Sequence, residues 1–91
     1  MIGDRIRQLR GKNHILLRHL AAQLDMDTAM LSKMERGERF FRKEDIQALA
    51  KIFNQPKNEL LTIWLADKVL KTIDSEEYKK QALELALKAL K

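Results

Sequence analysis

Apolar residues recur at helical spacing along most of the chain. Ile2, Ile6 and Leu9 lie four and three residues apart, so they share one face of a helix. The same spacing returns in five later segments, and Ser75 is placed to cap the last of them. The predicted helices cover approximately residues 2–12, 16 or 17 to 25, 28–36, 43–53, 56–73 and 76–91.

The second and third predicted helices are short and meet at a tight corner. The apolar stripe of the second helix ends near Leu24, and Asp27 is a good N-cap for the third helix. Leu31 and Met34 lie three residues apart on its inner face, and Gly37 can end it in a left-handed conformation. Two short helices around a corner of three to four residues predict a helix-turn-helix, whose second helix enters the major groove of DNA.

Length and composition favour one small domain with a basic amino-terminal half. The chain has 91 residues, a net charge of +5 and no cysteine, so it carries no disulfide framework and no thiolate metal site. Residues 1–43 hold ten Lys/Arg and five Asp/Glu, whereas residues 44–91 hold eight of each. All the excess positive charge therefore lies in the half that contains the helix-turn-helix, as a phosphate-binding face requires.

The central segment resembles the lambda-repressor-like (Cro/CI, or XRE) helix-turn-helix family. The resemblance depends on the order and spacing of four features. They are a Leu-Ala pair, an apolar residue five positions after that Ala, two apolar residues three positions apart, and a Glu-x-Gly sequence. In this chain those positions are Leu20, Ala21, Met26, Leu31, Met34, Glu35 and Gly37, followed by Ile46, Leu49 and Ala50. The implied fold is an all-α bundle of about five helices with an additional C-terminal helix. The implied partner is operator DNA, bound by dimers.

The outward face of the third helix is expected to contact bases. The base-reading positions of the family fall on Thr28, Ala29, Ser32 and Lys33. Lys33 can donate to guanine, Ala29 and the Thr28 methyl can pack on thymine methyl groups, and Ser32 can bond a base or a phosphate. None of these side chains makes a bidentate contact, so each contact is expected to be weak.

Basic residues around this helix are expected to bind phosphates and fix the register. The candidates are Arg18, Arg36, Arg39, Arg42 and Lys43. Arg10 has two interpretations. It could bind a phosphate, whereas the resemblance implies that it pairs with Glu35 as a structural fork.

The sequence departs from the family pattern at two places. Leu16 and Leu17 stand where relatives carry a capping Ser or Thr and then Gln, so either the helix begins elsewhere or the site is apolar for packing. Phe40 and Phe41 stand where relatives often carry Asn-Pro. The two rings could stack single-stranded bases, but the better interpretation is that one packs in the core and one covers the loop.

The last two predicted helices carry more apolar surface than a small bundle can cover, so we expect a dimer interface there. The alternative is an intramolecular hairpin that covers itself. The prediction therefore divides the chain into a DNA-binding domain, residues 1–73, and a dimerisation extension, residues 74–91. The expected interface residues are Leu61, Trp64, Leu65, Leu83, Leu87 and Leu90.

These features predict a cytoplasmic transcriptional regulator, encoded by a bacterium or phage, that binds double-stranded DNA as a homodimer. An antitoxin that binds a toxin, or an adaptor without DNA binding, are the alternatives. Catalytic spacings of Ser, His and carboxylates are absent from the sequence, and His14 and His19 are spaced unfavourably for a metal. We therefore expect neither an enzyme nor a cofactor or metal, and no membrane contact.

Overall fold

A computed structural model describes residues 1–91 and contains six helices and no strand, which confirms the all-α prediction. The helices are α1 (Ile2–Lys12), α2 (Leu17–Gln23), α3 (Thr28–Glu35), α4 (Lys43–Ile52), α5 (Lys57–Ile73) and α6 (Lys79–Ala89).

The start of α6 differs from the prediction. The N–H of Glu76 donates to the carbonyl of Ile73 at 2.9 Å, so the chain makes another turn after α5. Ser75 lies in this turn and does not cap a helix, and Tyr78 occupies the N-cap position instead. The helix consequently begins at Lys79, three residues later than predicted.

The first four helices end in the same type of left-handed turn. After α3, the N–H of Gly37 donates to the carbonyl of Met34 at 3.1 Å, and that of Glu38 donates to Lys33 at 2.9 Å. Equivalent hydrogen bonds close the ends of α1, α2 and α4. The left-handed residues are His14, Asp25, Gly37 and Asn54. The turn at Asp25 ends α2 at Gln23, two residues earlier than predicted, and forms the corner before α3.

One apolar core lies between α1, α2, α3, α4 and α5. It contains fifteen buried side chains, and α6 contributes none of them. The largest fully buried side chains are Ile6, Leu20, Leu31, Ile46, Leu49 and Leu60. Helices α1 to α4 therefore present their apolar stripes inward, as the sequence spacing predicts, whereas α5 buries Leu60 and Trp64 and leaves other apolar residues exposed.

Trp64 belongs to this core, which corrects its assignment to the dimer interface. Its side chain is 9% exposed, and its indole N–H donates to the carbonyl of Phe41 at 2.7 Å. Both the apolar ring and its one polar group are therefore satisfied inside the protomer. The indole therefore contributes to the core of the protomer, with the ammonium group of Lys68 4.4 Å from the centre of its ring.

The start of α1 lies directly against the end of α3. Gly3 is buried, and a Cβ at this position would lie 2.7 Å from the carbonyl oxygen of Met34 and still closer to that of Glu35. Backbone atoms cannot withdraw as the end of a long side chain can. Glycine therefore permits an approach of the two helices that any other residue would obstruct.

The last helix extends away from the bundle. Every residue of α6 is exposed, and so is every residue from Asp74 to Tyr78 before it. The radius of gyration is 14.8 Å, whereas a compact chain of this length has about 12 Å. The predicted alternative, in which α5 and α6 cover each other as a closed hairpin, is therefore not the arrangement in this structure.

Candidate nucleic-acid interface

Helix α3 separates into an inner and an outer face. The carboxylate of Asp27 accepts the N–H of Met30 at 2.7 Å and so caps the helix start. Leu31 and Met34 are buried in the core. The predicted base-reading side chains Thr28, Ala29 and Lys33 are exposed on the other side. Burial of the inner face thus fixes which residues α3 presents to solvent.

Ser32 is placed differently from the other predicted base readers. Its side chain is half-buried, and its hydroxyl oxygen accepts a hydrogen bond from Nη1 of Arg36 at 2.6 Å. The hydroxyl keeps its own proton for donation. Ser32 can therefore still donate to a base or phosphate, but only from an orientation that Arg36 sets.

The end of α3 is fixed to α1 by a two-pronged ion pair. Nε and Nη2 of Arg10 donate to the two carboxylate oxygens of Glu35 at 2.9 and 3.0 Å. The Glu35 side chain is 3% exposed, and Nε of Arg7 lies 3.6 Å from it. The hydrogen bonds to Glu35 raise the pKa of Arg10 above its ordinary value. The structure thus brings together the two residues that the family resemblance pairs, and the Arg10 charge is turned inward.

Helix α2 starts without a side-chain cap. Leu16 occupies the N-cap position in an extended conformation and is 48% exposed, whereas Leu17 packs partly on the core. The helix therefore begins at Leu17, the second of the two starts that the sequence allows, and Leu17 packs on the core. Arg18, in the first turn of α2, is exposed and forms no salt bridge.

Two of the predicted phosphate-binding arginines are paired with carboxylates inside the chain. Arg36 forms a salt bridge with Glu38, and Nη2 of Arg42 lies 3.1 Å from Asp45. These pairs raise the pKa of each arginine, mainly through the hydrogen bond that each donates. The hydrogen bond from Arg36 also lowers the pKa of Glu38 below its ordinary value. In the free protein the charges of Arg36 and Arg42 are therefore partly neutralised by these carboxylates.

The other predicted phosphate contacts keep their charge free. Arg39 and Lys43 are exposed, and neither forms a salt bridge. Arg39 lies in the segment 36–42 that connects α3 to α4, here called the α3–α4 loop, and Lys43 follows this loop directly. Together with Lys33 and Arg18, they are unpaired cations of the helix-turn-helix half.

The two adjacent phenylalanines of the α3–α4 loop have different environments. Phe41 is 2% exposed and belongs to the core, whereas Phe40 is 46% exposed. The ammonium group of Lys71, from α5, lies 5.2 Å from the centre of the Phe40 ring. A two-ring stacking platform for single strands is therefore ruled out, since one of the rings is buried.

Most of the residues predicted for the dimer interface are exposed. Leu65, Leu87 and Leu90 are 57%, 70% and 74% exposed, and Leu83 is 37% exposed. Leu61 is half-buried against the core. Val69 and Leu70 of α5, Tyr78 before α6 and Leu85 in α6 are exposed as well, and they were not among the predicted interface residues.

Sequence reasoning also missed the polar contacts that shape the loop. These contacts are the hydrogen bonds from Arg36 to Ser32 and from Lys71 to the loop. Spacing along one helix could have suggested the first of these, since residues 32 and 36 are four apart. Nothing in the sequence could have suggested the second, which joins residues 34 positions apart.

Comparison with known proteins places the helix-turn-helix in the same part of the chain. The helix-turn-helix domain family matches residues 2–62, which is about two thirds of the chain and includes α1, α2, α3 and α4. Searches of curated proteins and of solved structures returned no match. None of the six helices has the length and apolar character needed to cross a membrane. The chain belongs to the helix-turn-helix domain family, a class of DNA-binding regulators, in keeping with its lambda-repressor-like sequence.

Proposed function

We propose that this protein is a sequence-specific transcriptional regulator, a repressor or controller, that binds a pseudo-palindromic duplex operator as a homodimer. Helix α3 of each protomer would enter one of two successive major grooves, about 34 Å apart. The supporting observation is the division of α3 into a face fixed in the core and a face open to solvent beside unpaired cations. A cytoplasmic location in a bacterium or in a phage-infected cell belongs to the same proposal, and no catalysis, cofactor or metal is part of it.

Base reading is assigned to the outer face of α3. Lys33 would donate to guanine, while Ala29 and the methyl group of Thr28 would pack on thymine methyl groups. Ser32 would donate its hydroxyl proton while Arg36 holds its oxygen. The resulting specificity would come from several modest contacts.

Phosphate contacts are assigned first to the cations without an internal partner, namely Arg18, Arg39 and Lys43. Arg36 and Arg42 would contribute less, because a phosphate must compete with Glu38 and Asp45 for their charges. This ranking refines the sequence prediction, which treated the five basic residues as equivalent.

The test compares Lys33→Ala with Arg39→Ala on a selected operator and on random duplex DNA, by fluorescence anisotropy across a salt series. Loss of a base contact should weaken operator binding by ~1–3 kcal/mol and leave random DNA nearly unaffected. Loss of a phosphate contact should weaken both DNAs alike and flatten the salt slope by about 0.9 per protomer. Arg42→Ala provides the comparison for a paired arginine, and its effect should be smaller than that of Arg39→Ala.

Two results would refute these assignments. If Lys33→Ala weakened both DNAs equally, α3 would not read bases through this residue. If the unmodified protein bound no duplex DNA at low salt, the regulator proposal itself would fail.

The proposed dimer uses the exposed apolar surface of α5 and α6. Residues 1–73 would form the DNA-binding unit, and residues 74–91 would extend it for dimerisation. The supporting observation is the α6 helix, whose leucines have no cover inside the protomer. The proposed contact residues are Leu61, Leu65, Leu83, Leu87 and Leu90, without Trp64.

A second candidate function follows from the same uncovered surface. An antitoxin would use α5 and α6 to bind a toxin, and an adaptor would bind some other protein there. Purification of the tagged protein from its native host distinguishes them from a dimeric regulator. One small stoichiometric partner, lost on substitution of Leu87, would favour the antitoxin.

A further inference from the structure

Two side chains of α5 hold the two ends of the α3–α4 loop. The indole N–H of Trp64 donates to the carbonyl of Phe41 at 2.7 Å, and the ammonium of Lys71 donates to the carbonyl of Gly37 at 2.9 Å. Trp64 and Lys71 are seven residues apart, so they lie two turns apart on the same face of α5. We call this pair the α5 clasp.

The loop between these two points has little structure of its own. The backbone N–H groups of Arg39 and Phe40 make no backbone hydrogen bond, and neither residue lies in a helix. The exposed Phe40 ring lies beside the ammonium of Lys71, so the same side chain holds the loop twice. The conformation of Arg39 therefore depends on contacts made by α5.

We propose that Lys71 is a positioning residue for DNA binding: it holds Gly37 and Phe40 so that Arg39 faces the phosphate backbone. The inference rests on the proposed function, because it assigns Arg39 to a phosphate. It extends that function by placing one determinant of DNA affinity on α5, outside the helix-turn-helix. Arg39 makes the contact, and Lys71 acts through it.

The two hydrogen bonds of the α5 clasp differ in strength. Trp64 is buried, so its bond cannot open without disrupting the core. Lys71 is exposed, so its bond competes with water and is the weaker of the two. Loss of the Lys71 contact should therefore loosen the loop at Arg39 and Phe40, whose amides have no backbone partner, and leave the fold intact.

The first experiment measures the loop in the free protein by ¹⁵N relaxation of the Arg39 and Phe40 amides. In the unmodified protein we expect order parameters near 0.85, as in rigid backbone, and in Lys71→Met values below about 0.6. Lys71→Arg keeps a donor and should restore the order. Lys68→Met is the matched control, because Lys68 is one turn away on α5 and lies over the Trp64 ring instead of the loop.

The second experiment separates positioning from the charge of Lys71 itself. Random duplex binding is measured for Lys71→Met, Arg39→Ala and the double variant across a salt series. If Lys71 acts through Arg39, each single variant lowers the salt slope by about 0.9 per protomer, and the double variant lowers it no further. Lys68→Met should leave the slope unchanged.

Additive losses in the double variant would overturn the proposal, because they would make Lys71 an independent phosphate contact. Unchanged order parameters in Lys71→Met would overturn it as well. If the unmodified protein bound no DNA, the proposed function would fail along with the role of the clasp in DNA binding. The relaxation data would then still decide whether Lys71 orders the loop.

Discussion

At the scale of single residues, the position of α3 depends on charges buried inside the protomer. Glu35 is nearly inaccessible, yet it carries a carboxylate that needs partners. Arg10 supplies two hydrogen bonds from α1 and a further weak one to the carbonyl of Ile15 at 3.4 Å. This fork fixes the direction in which the end of α3 leaves the core, and with it the start of the α3–α4 loop.

Arg10→Met should lower the free energy of unfolding by ~3 kcal/mol, because it leaves the Glu35 carboxylate buried without its main partner. Urea unfolding measures the loss. Arg7→Met is the control, since Arg7 is half-exposed and 3.6 Å from Glu35, and its loss should be under ~1 kcal/mol. Equal losses in the two variants would contradict the assigned role of Arg10.

At the scale of helices, the start of α1 lies in close contact with the end of α3. Gly3 permits it, and Asp67 of α5 holds the same helix start by accepting the N–H of Ile2 at 2.7 Å. An acidic group near a helix start also interacts favourably with the helix dipole. Helix α1 is therefore fixed against both α3 and α5 at the end that supports the α3–α4 loop.

Gly3→Ala should destabilise the protein by ~1–3 kcal/mol, because its Cβ would press on the backbone carbonyls of Met34 and Glu35. Gly11→Ala is a matched control in the same helix, where an added Cβ meets nothing within 4 Å. It should stabilise by up to ~1 kcal/mol through the lower conformational entropy of the unfolded chain. Thermal unfolding of both variants gives the comparison, and two changes of the same sign would contradict this account of Gly3.

At the scale of the whole molecule, charge and apolar surface lie in different parts. The net positive charge of the sequence lies in residues 1–43, and the uncovered leucines lie in the last two helices. The molecule measures 42 × 26 × 21 Å, and its projecting α6 makes it longer than a compact bundle. An arrangement of this kind can bind DNA on one side and a second protein surface on another.

Leu87→Lys should convert a dimer into a monomer, because it places a charge in the proposed interface. Light scattering measures the mass against the 10.7 kDa of one chain. Leu87 is 70% exposed in the protomer, so the stability of the bundle should change by less than ~0.5 kcal/mol. Gln81→Lys adds the same charge elsewhere on α6 and should leave the mass unchanged. A monomeric unmodified protein at micromolar concentration would contradict the dimer proposal.

The sequence by itself determined the helical class, the order of the helices and most of the core. Those properties follow from local spacing: a stripe such as Ile2, Ile6 and Leu9 has only one helical face on which to lie. The assignment of Asp27 as a cap is of the same kind, because cap and helix are adjacent in the chain. The helix-turn-helix was therefore predictable from the spacing of residues alone.

Only the tertiary structure decided which groups are free to act. Trp64 is buried although its neighbour Leu65 is exposed, and its indole N–H bonds the Phe41 carbonyl, 23 positions away. Arg36 and Arg39 are equivalent in sequence terms, yet Glu38 partly neutralises the first and leaves the second unpaired. Lys71 meets Gly37 because α5 packs on α4 and α1, and α1 in turn packs on α3. Local patterns determine helices, whereas the pairing of side chains across helices depends on packing geometry that no local pattern contains.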